Sequence, residues 1–296
     1  MLKVIYIVTL SVFNIGVTET EYQKSFDYET VDRGHISATL ADVWDTPAMA
    51  GREYLIMQPD SGADVYLRFV AGIEPNQQAA ATSYGWHAVE LLSKNPDKLE
   101  EQLRADSAFT VVGPTKDLYP AEKAPRAMQA VGPDREMLYF TRLIPGGTQI
   151  DLGTAKTFVD RVFIMVVGGP SMTALQSYYR DRLGMPVSDP EPYIIANVAE
   201  ANGLPLDTTF PLSLAAFPRN FAIELDEWPA RLPQRHRTKG ALPQGVAMVS
   251  FRVEQLDDID LYWRAAPAAI DNLLYDGKRA AVTVGPAGEW IELIGD

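Results

Sequence analysis

One strand-like stretch occurs twice in this chain, as Asn220-Phe221-Ala222-Ile223-Glu224-Leu225 and, at the end, as Gly288-Glu289-Trp290-Ile291-Glu292-Leu293. Successive side chains of an extended strand point to opposite faces. Each copy therefore sets a carboxylate among apolar neighbours on one face, and that face is either solvent or a site. Each copy also closes a block that opens on an apolar strand, passes through a short helix and ends in further strands. Four such blocks fill the chain. A pattern recurring at about half the chain length indicates two homologous halves. Helices packed on one face of antiparallel sheets make the fold class α+β.

The blocks can be followed residue by residue. The first opens with the β-branched run Val4 to Val12. Thr18-x-x-Glu21 then reads as a capping box, with Tyr22 and Phe26 on one helical face. Tyr54 to Met57 and Val65 to Val70, joined by Pro59-Asp60-Ser61-Gly62, read as a hairpin. The second block runs from Trp86-His87-Ala88-Val89-Glu90-Leu91-Leu92 through an Asn95-Pro96 helix start to Met137-Leu138-Tyr139-Phe140. Residues 143–156 form the best boundary, predicting domains at 1–148 and 149–296 with two βαβββ modules each. The third block has the strand Val162 to Val167, a helix capped by Ser171, and the Glu224 strand. The fourth has Met248 to Val253, a helix expected from Asp257 with Ile259 and Trp263 spaced i, i+4, and the Glu292 strand.

Composition narrows the chemistry. The net charge of −13 argues against nucleic acid or an anionic membrane as partner. There is no cysteine, so thiolate nucleophiles and thiolate metal sites are excluded. With only His35, His87 and His236 as histidines, any metal site must lean on carboxylates. The N-terminal apolar run is interrupted by Tyr6, Thr9 and Ser11 and is read as a strand rather than a signal peptide. No segment approaches the ~20 apolar residues of a membrane span, and the expected location is cytoplasmic. There is no Gly-rich phosphate loop, G-x-S-x-G elbow or H-E-x-x-H.

The order and spacing of Val159-Asp160-Arg161-Val162-x-Ile164-x-Val166, Tyr178-Tyr179-x5-Gly184, Gly245-x-x-Met248-Val249-Ser250-Phe251-Arg252-Val253 and the two closing strands make the chain resemble the vicinal oxygen chelate superfamily, which includes glyoxalase I, bleomycin resistance proteins and extradiol dioxygenases. The resemblance covers nearly the whole chain. It implies paired βαβββ modules forming two cupped sheets, each with a site on its concave face. It also implies metal ligands on the first and last strand of each module. Carried over by position, these places fall on Tyr6, Arg68, His87 and Tyr139 in the N-terminal half, and on Arg161, Glu224, Met248 and Glu292 in the C-terminal half. An arginine has no lone pair to offer, and a thioether is a poor ligand for a hard metal. The implied ligand set is therefore degenerate. No cofactor is expected, a divalent metal staying open, and classical extradiol chemistry is argued against.

Two arrangements fit the carboxylates. Glu224 and Glu292 could share one cup, each raising the other's pKa. Alternatively Arg161 stands where the metal would and pairs with Glu224, leaving Glu292 the less committed carboxylate. We take the second. Glu292 and His87 are then the candidate catalytic residues. Tyr6, Arg68, Tyr139, Arg161, Glu224, Met248 and Trp290 are the candidate substrate-binding residues, with Trp290 as the pocket aromatic. The basic segment around Arg231, Arg235, His236, Arg237 and Lys239 is either a solvated loop or a cover for a cup. The expected protein is a monomer or homodimer that acts on or binds a small aromatic or carboxylate-bearing molecule. A metal-independent isomerase or lyase is one reading. A non-catalytic binding protein of the bleomycin-resistance type is the alternative.

Overall fold

The computed structural model describes residues 2–296. Module 1 comprises β1 (Val4–Val12), α1 (Ile15–Phe26), β2 (Tyr28–His35), α2 (Ala38–Val43), β3 (Glu53–Pro59) and β4 (Tyr66–Ala71). Module 2 comprises β5 (Gly85–Ser93), α3 (Pro96–Ala105), β6 (Thr110–Asp117), β7 (Arg126–Val131) and β8 (Met137–Arg142). Module 3 comprises β9 (Val159–Gly169), α4 (Met172–Ser177), β10 (Glu191–Ile194), α5 (Ala196–Ala201), β11 (Thr209–Phe217) and β12 (Phe221–Glu227). Module 4 comprises β13 (Gly245–Arg252), β14 (Ala268–Ala269), β15 (Arg279–Val284) and β16 (Trp290–Gly295). The α+β expectation holds.

The strands form two eight-stranded sheets, ordered β14-β15-β16-β13-β1-β4-β3-β2 and β10-β11-β12-β9-β5-β8-β7-β6. The first sheet joins modules 1 and 4; the second joins modules 2 and 3. The expected division at 148/149 is therefore corrected, because each half of the chain is split between both sheets. The reason is edge pairing. β1 is an opening strand buried along its whole length, and it pairs antiparallel with β13 rather than with β5. β5 pairs in the same way with β9.

Local signals are mostly obeyed. Asn95 and Ser171 cap α3 and α4 through their side chains. Two helix expectations need correction. α1 starts three residues before Thr18, capped by Asn14, whose side chain accepts from the Val17 amide. Thr18 instead sits inside the helix and turns its hydroxyl to the Asn14 carbonyl and to Asp134. The helix predicted around Ile259 and Trp263 does not form; residues 254–267 are coil and turn packed against the core. Module 4 thus keeps its strands and lacks its helix.

The sheets share one continuous apolar core. Two matching polar clasps cross it. In Gly132-Pro133-Asp134-Arg135-Glu136, the buried Glu136 carboxylate accepts from the Tyr22 hydroxyl (3.0 Å) and the Asp134 amide (3.0 Å). In Gly285-Pro286-Ala287-Gly288-Glu289, Glu289 accepts from the Tyr179 hydroxyl (3.0 Å) and the Ala287 amide (2.8 Å). Each clasp ties a helical tyrosine of one sheet to a hairpin of the other. A Cβ at Gly132 or Gly285 would collide with the respective carboxylate, so glycine makes room for the acid. Burial pushes both glutamates up to about 7.

Candidate functional site

The two sheets present equivalent concave faces, and their registers fix which residues correspond. In the cup of modules 1 and 4, Thr9 lies beside Arg68 and Ser250 beside Glu292. In the cup of modules 2 and 3, Glu90 lies beside Tyr139 and Val166 beside Glu224. Each cup therefore has two inner residues on central strands and two on closing strands facing each other across them.

The first cup is filled by its own side chains. The Arg68 guanidinium donates to Thr9 Oγ1 (3.0 and 2.8 Å), to the Tyr275 hydroxyl oxygen (2.7 Å) and to Glu292 Oε2 (3.3 Å). It stacks on Trp44, 4.6 Å from the ring centroid. Glu292 also accepts from Trp44 Nε1 (2.7 Å), the Tyr275 hydroxyl (2.8 Å) and Ser250 Oγ (2.5 Å). Arg68 is 2% exposed and Glu292 0%. A carboxylate has about four lone-pair sites, and here four donors reach it. Burial opposes the charge on Arg68, but Tyr275 and Glu292 hold its pKa above the usual arginine value. Glu292 is thus a sealed ion-pair partner rather than a free acid or base, and Arg68 is its partner rather than a substrate-binding group.

The other residues assigned to that cup also move. Tyr6 is the extra residue of a bulge in β1; its hydroxyl donates to the Leu274 carbonyl (3.0 Å), and Arg252 stacks on its ring. Thr9, not Tyr6, neighbours Arg68. Met248 is buried on the same face as Ser250 and pairs with Trp290, so it is wall rather than ligand. Trp290 lies under Arg264 (3.9 Å) and Arg237 (5.2 Å) and is only 4% exposed. The basic segment is therefore a cover at this rim: Arg237 seals Trp290, and Arg235 is tied to the carbonyls of Trp86 and Gln244.

The second cup is open. A cavity of about 470 Å³ is lined by Glu90, Tyr139 and Glu224, with Lys116, Gln129 and Tyr193 among its walls. Ala88, Ile164, Val166 and Ala222 pack with Tyr139 in an apolar cluster of their own. Thr141 Oγ1 donates to Glu90 Oε1 (2.5 Å). Burial raises Glu90 to about 7, only partly offset by that hydrogen bond. Glu224 is raised well above the usual carboxylate range, by burial first and then by its like-charged neighbours Asp226 and Glu90. Asp226, 1% exposed, has no hydrogen-bond partner on either oxygen, and burial raises it to about 8.

Behind the cavity wall, Asn197 Nδ2 donates to the Tyr139 hydroxyl oxygen (2.8 Å), and that hydroxyl lies 3.0 Å from His87 Nε2. The hydroxyl has one proton and two lone pairs, so either it or the imidazole can donate in that contact, according to the histidine tautomer. Nδ1 is buried without a partner. Burial, and then the Arg235 charge, push His87 down to about 3, so it stays neutral. Like Tyr6, it is a bulge residue, which turns it toward Tyr139 against the strand alternation.

Arg161 does not pair with Glu224. Its guanidinium donates to the carbonyls of Val162, Leu152 and Asn220, each at 3.2 Å, and stacks on Phe221. The residue beside Glu224 on β9 is Val166, several positions further along. Of the sequence candidates, the open cup brings together Tyr139 and Glu224, with His87 behind them. Sequence reading passed over Glu90, although it shows the same signal that drew attention to Glu292: a carboxylate within an apolar strand. Asn197 and Tyr193 arrive on the segment between β9 and β11 and carry no such signal. Among the described residues no group of three or more His, Asp or Glu side chains is placed to hold a metal ion, and no helix is long and apolar enough to cross a membrane.

No family model matches the sequence, and no curated protein matches it. Solved structures do. Glyoxalase I from Zea mays superposes with a TM-score of 0.63 at 11% identity, covering 98% of this chain and 92% of that one. A mutant form of the same enzyme gives 0.64 at 10% identity, covering 98% and 93%. A Bacillus subtilis protein described as a candidate dioxygenase gives 0.59 at 11% identity, covering 100% and 86%. At such identities the likeness is one of fold.

Proposed function

We propose that this chain, which has the vicinal oxygen chelate fold from end to end, works through a single cup, that of modules 2 and 3, where it binds a small organic molecule and moves a proton on it without a metal. The observation that carries this reading is the pair Glu90 and Glu224 lining one cavity, with Glu90 raised by burial to about 7, where proton transfer near neutral pH is efficient, and Glu224 raised well above the usual carboxylate range. Glu224 is the acid/base, since no side chain donates to it in this structure. Glu90, held by Thr141, is its partner carboxylate. Tyr139, positioned by Asn197 and His87, supplies a fixed hydroxyl on the opposite wall.

The donor set fits a divalent metal poorly. It offers two carboxylates and a phenol whose pKa burial raises well above its ordinary value, and a valine takes the fourth inner position. Hard ions ask for more oxygen ligands than this. The experiment is to recover bound small molecules from the purified protein by mass spectrometry and to assay their conversion with and without a chelator. Chelator-resistant turnover that falls by about 10²–10⁴-fold in kcat on Glu224→Gln is the expected result. Turnover that needs added metal would sink the reading.

A purely ligand-holding cup is the second reading. What favours it is His87: the one histidine near the cavity is sealed behind Tyr139 and held neutral. Recovered ligand that is never converted, by wild type or at any pH, would decide for it.

A further inference from the structure

The two cups answer the same electrostatic problem differently. Each carries a glutamate on a closing strand, Glu292 in one and Glu224 in the other. In the filled cup the closing strand opposite supplies a cation, Arg68, whose guanidinium is sandwiched near Trp44 and Tyr275 and pairs with Glu292. In the open cup the residue at the facing closing-strand position is Tyr139, and the space a guanidinium would fill is cavity. None of the ion pairs among the described residues involves Glu90, Glu224 or Asp226. Glu90 is 7% exposed and is held by Thr141 through one oxygen, with the cavity beside it. Asp226, immediately behind, has both oxygens unpartnered.

Glu90 and Glu224 line a pocket of ligand size with Asp226 behind them, and the one basic residue of the lining, Lys116, forms no ion pair with any of them. We propose that the ligand of this cup is a small organic cation, an amidinium, guanidinium or ammonium carried on an aromatic or aliphatic body, whose charged group sits between Glu90 and Glu224 as Arg68 sits against Glu292. Tyr139 and Tyr193 give the aromatic faces on which such a cation stacks, and planar guanidinium-like groups match carboxylates in two-pronged fashion. The carboxylate-bearing ligand considered from sequence would find Lys116 as the one basic residue of the lining. This inference rests on the open cup being the binding site, and it specifies the class of molecule bound there.

The test uses the full chain and three probes of one shape: benzylguanidine, its neutral isostere benzylurea, and the anion 3-phenylpropionate. Affinity is read by calorimetry, and position by chemical-shift changes at Tyr139, Tyr193 and Glu224. Benzylguanidine should bind about tenfold or more tightly than benzylurea, and 3-phenylpropionate more weakly still. Glu90→Gln and Glu224→Gln should each weaken benzylguanidine by about tenfold while leaving benzylurea unchanged. If benzylurea or 3-phenylpropionate shifts the cup residues and binds as well as benzylguanidine, the cation inference fails and the cup stands as a binding site. If none of the three perturbs the cup, both are overturned. Manganese(II) that displaces benzylguanidine from the cup and binds more tightly would also overturn the proposal, because the counter-charge would then be a metal.

Discussion

At the scale of single residues, the contrast between Glu292 and Glu224 shows how a partner decides what a carboxylate can do. Arg68→Ala would leave Glu292 charged and buried without its cation, and we expect a loss of about 3–5 kcal/mol in denaturant unfolding, the usual cost of orphaning one member of a buried pair. Replacing both residues together, Arg68→Met with Glu292→Gln, should recover much of it. A double variant no more stable than Arg68→Ala would show that the pair is not coupled. The open-cup carboxylates predict a pH dependence. Glu90 at about 7 and Asp226 at about 8 have folded pKa values above their unfolded ones, as do Glu136 and Glu289 at about 7, and Glu224 is raised as well. Between the unfolded and folded values the native state holds more protons, so stability falls as pH rises. It is fully present below the unfolded carboxylate range and is lost as pH climbs through about 7 to 8. His87 acts on the other flank: its lowered pKa of about 3 costs stability as pH drops below the ordinary histidine value. Urea midpoints should therefore decline from mildly acidic to mildly alkaline pH, and Asp226→Asn should flatten part of that decline. A profile that rises across this window contradicts the burial of these acids.

At the scale of elements, the hairpin clasps are the most sensitive joints. Gly132→Ala places a methyl group against a carboxylate that Tyr22 and the Asp134 amide already fix. Overpacking of this kind costs about 1–3 kcal/mol, to be read from the shift in denaturation midpoint. Tyr22→Phe, which removes a donor from buried Glu136, should cost a similar amount, about 1–3 kcal/mol. If both substitutions are silent, the clasp does not hold the sheets. The same scale shows why helix signals succeeded unevenly. Asn95 and Ser171 satisfy the first amides of α3 and α4 locally, so their caps can be read from neighbours in sequence. Thr18 matched a capping pattern just as well, but Asn14 started the helix one turn earlier and Asp134, far away in sequence, took its hydroxyl. In module 4 the i, i+4 pair Ile259 and Trp263 buries against the core from coil, and packing there overrides helical periodicity.

At the scale of the whole molecule, the crossed pairing of modules makes the halves interdependent. Fragments 1–148 and 149–296 each carry only parts of both sheets. Neither should unfold cooperatively when expressed alone, whereas the two mixed together should restore the cooperative transition, measurable by circular dichroism. A cooperative 1–148 fragment would mean that β1 and β5 find a pairing other than the one seen here.

Strand alternation, turn chemistry and the repeated block are properties of neighbouring residues, so the amino-acid sequence by itself determined the module count, the α+β class and the oddity of carboxylates on apolar strands, while the cupped shape came from the family resemblance. Which modules share a sheet, and whether each carboxylate meets an arginine or an empty space, depends on residues tens to hundreds of positions apart. Arg68 reaches Glu292 across the chain, while Arg161, nearer to Glu224 in sequence, turns away to backbone carbonyls. The register of β9 against β12 set Val166 beside Glu224, and a bulge redirected His87. Those are outcomes of long-range pairing and packing, and only the tertiary structure could decide them.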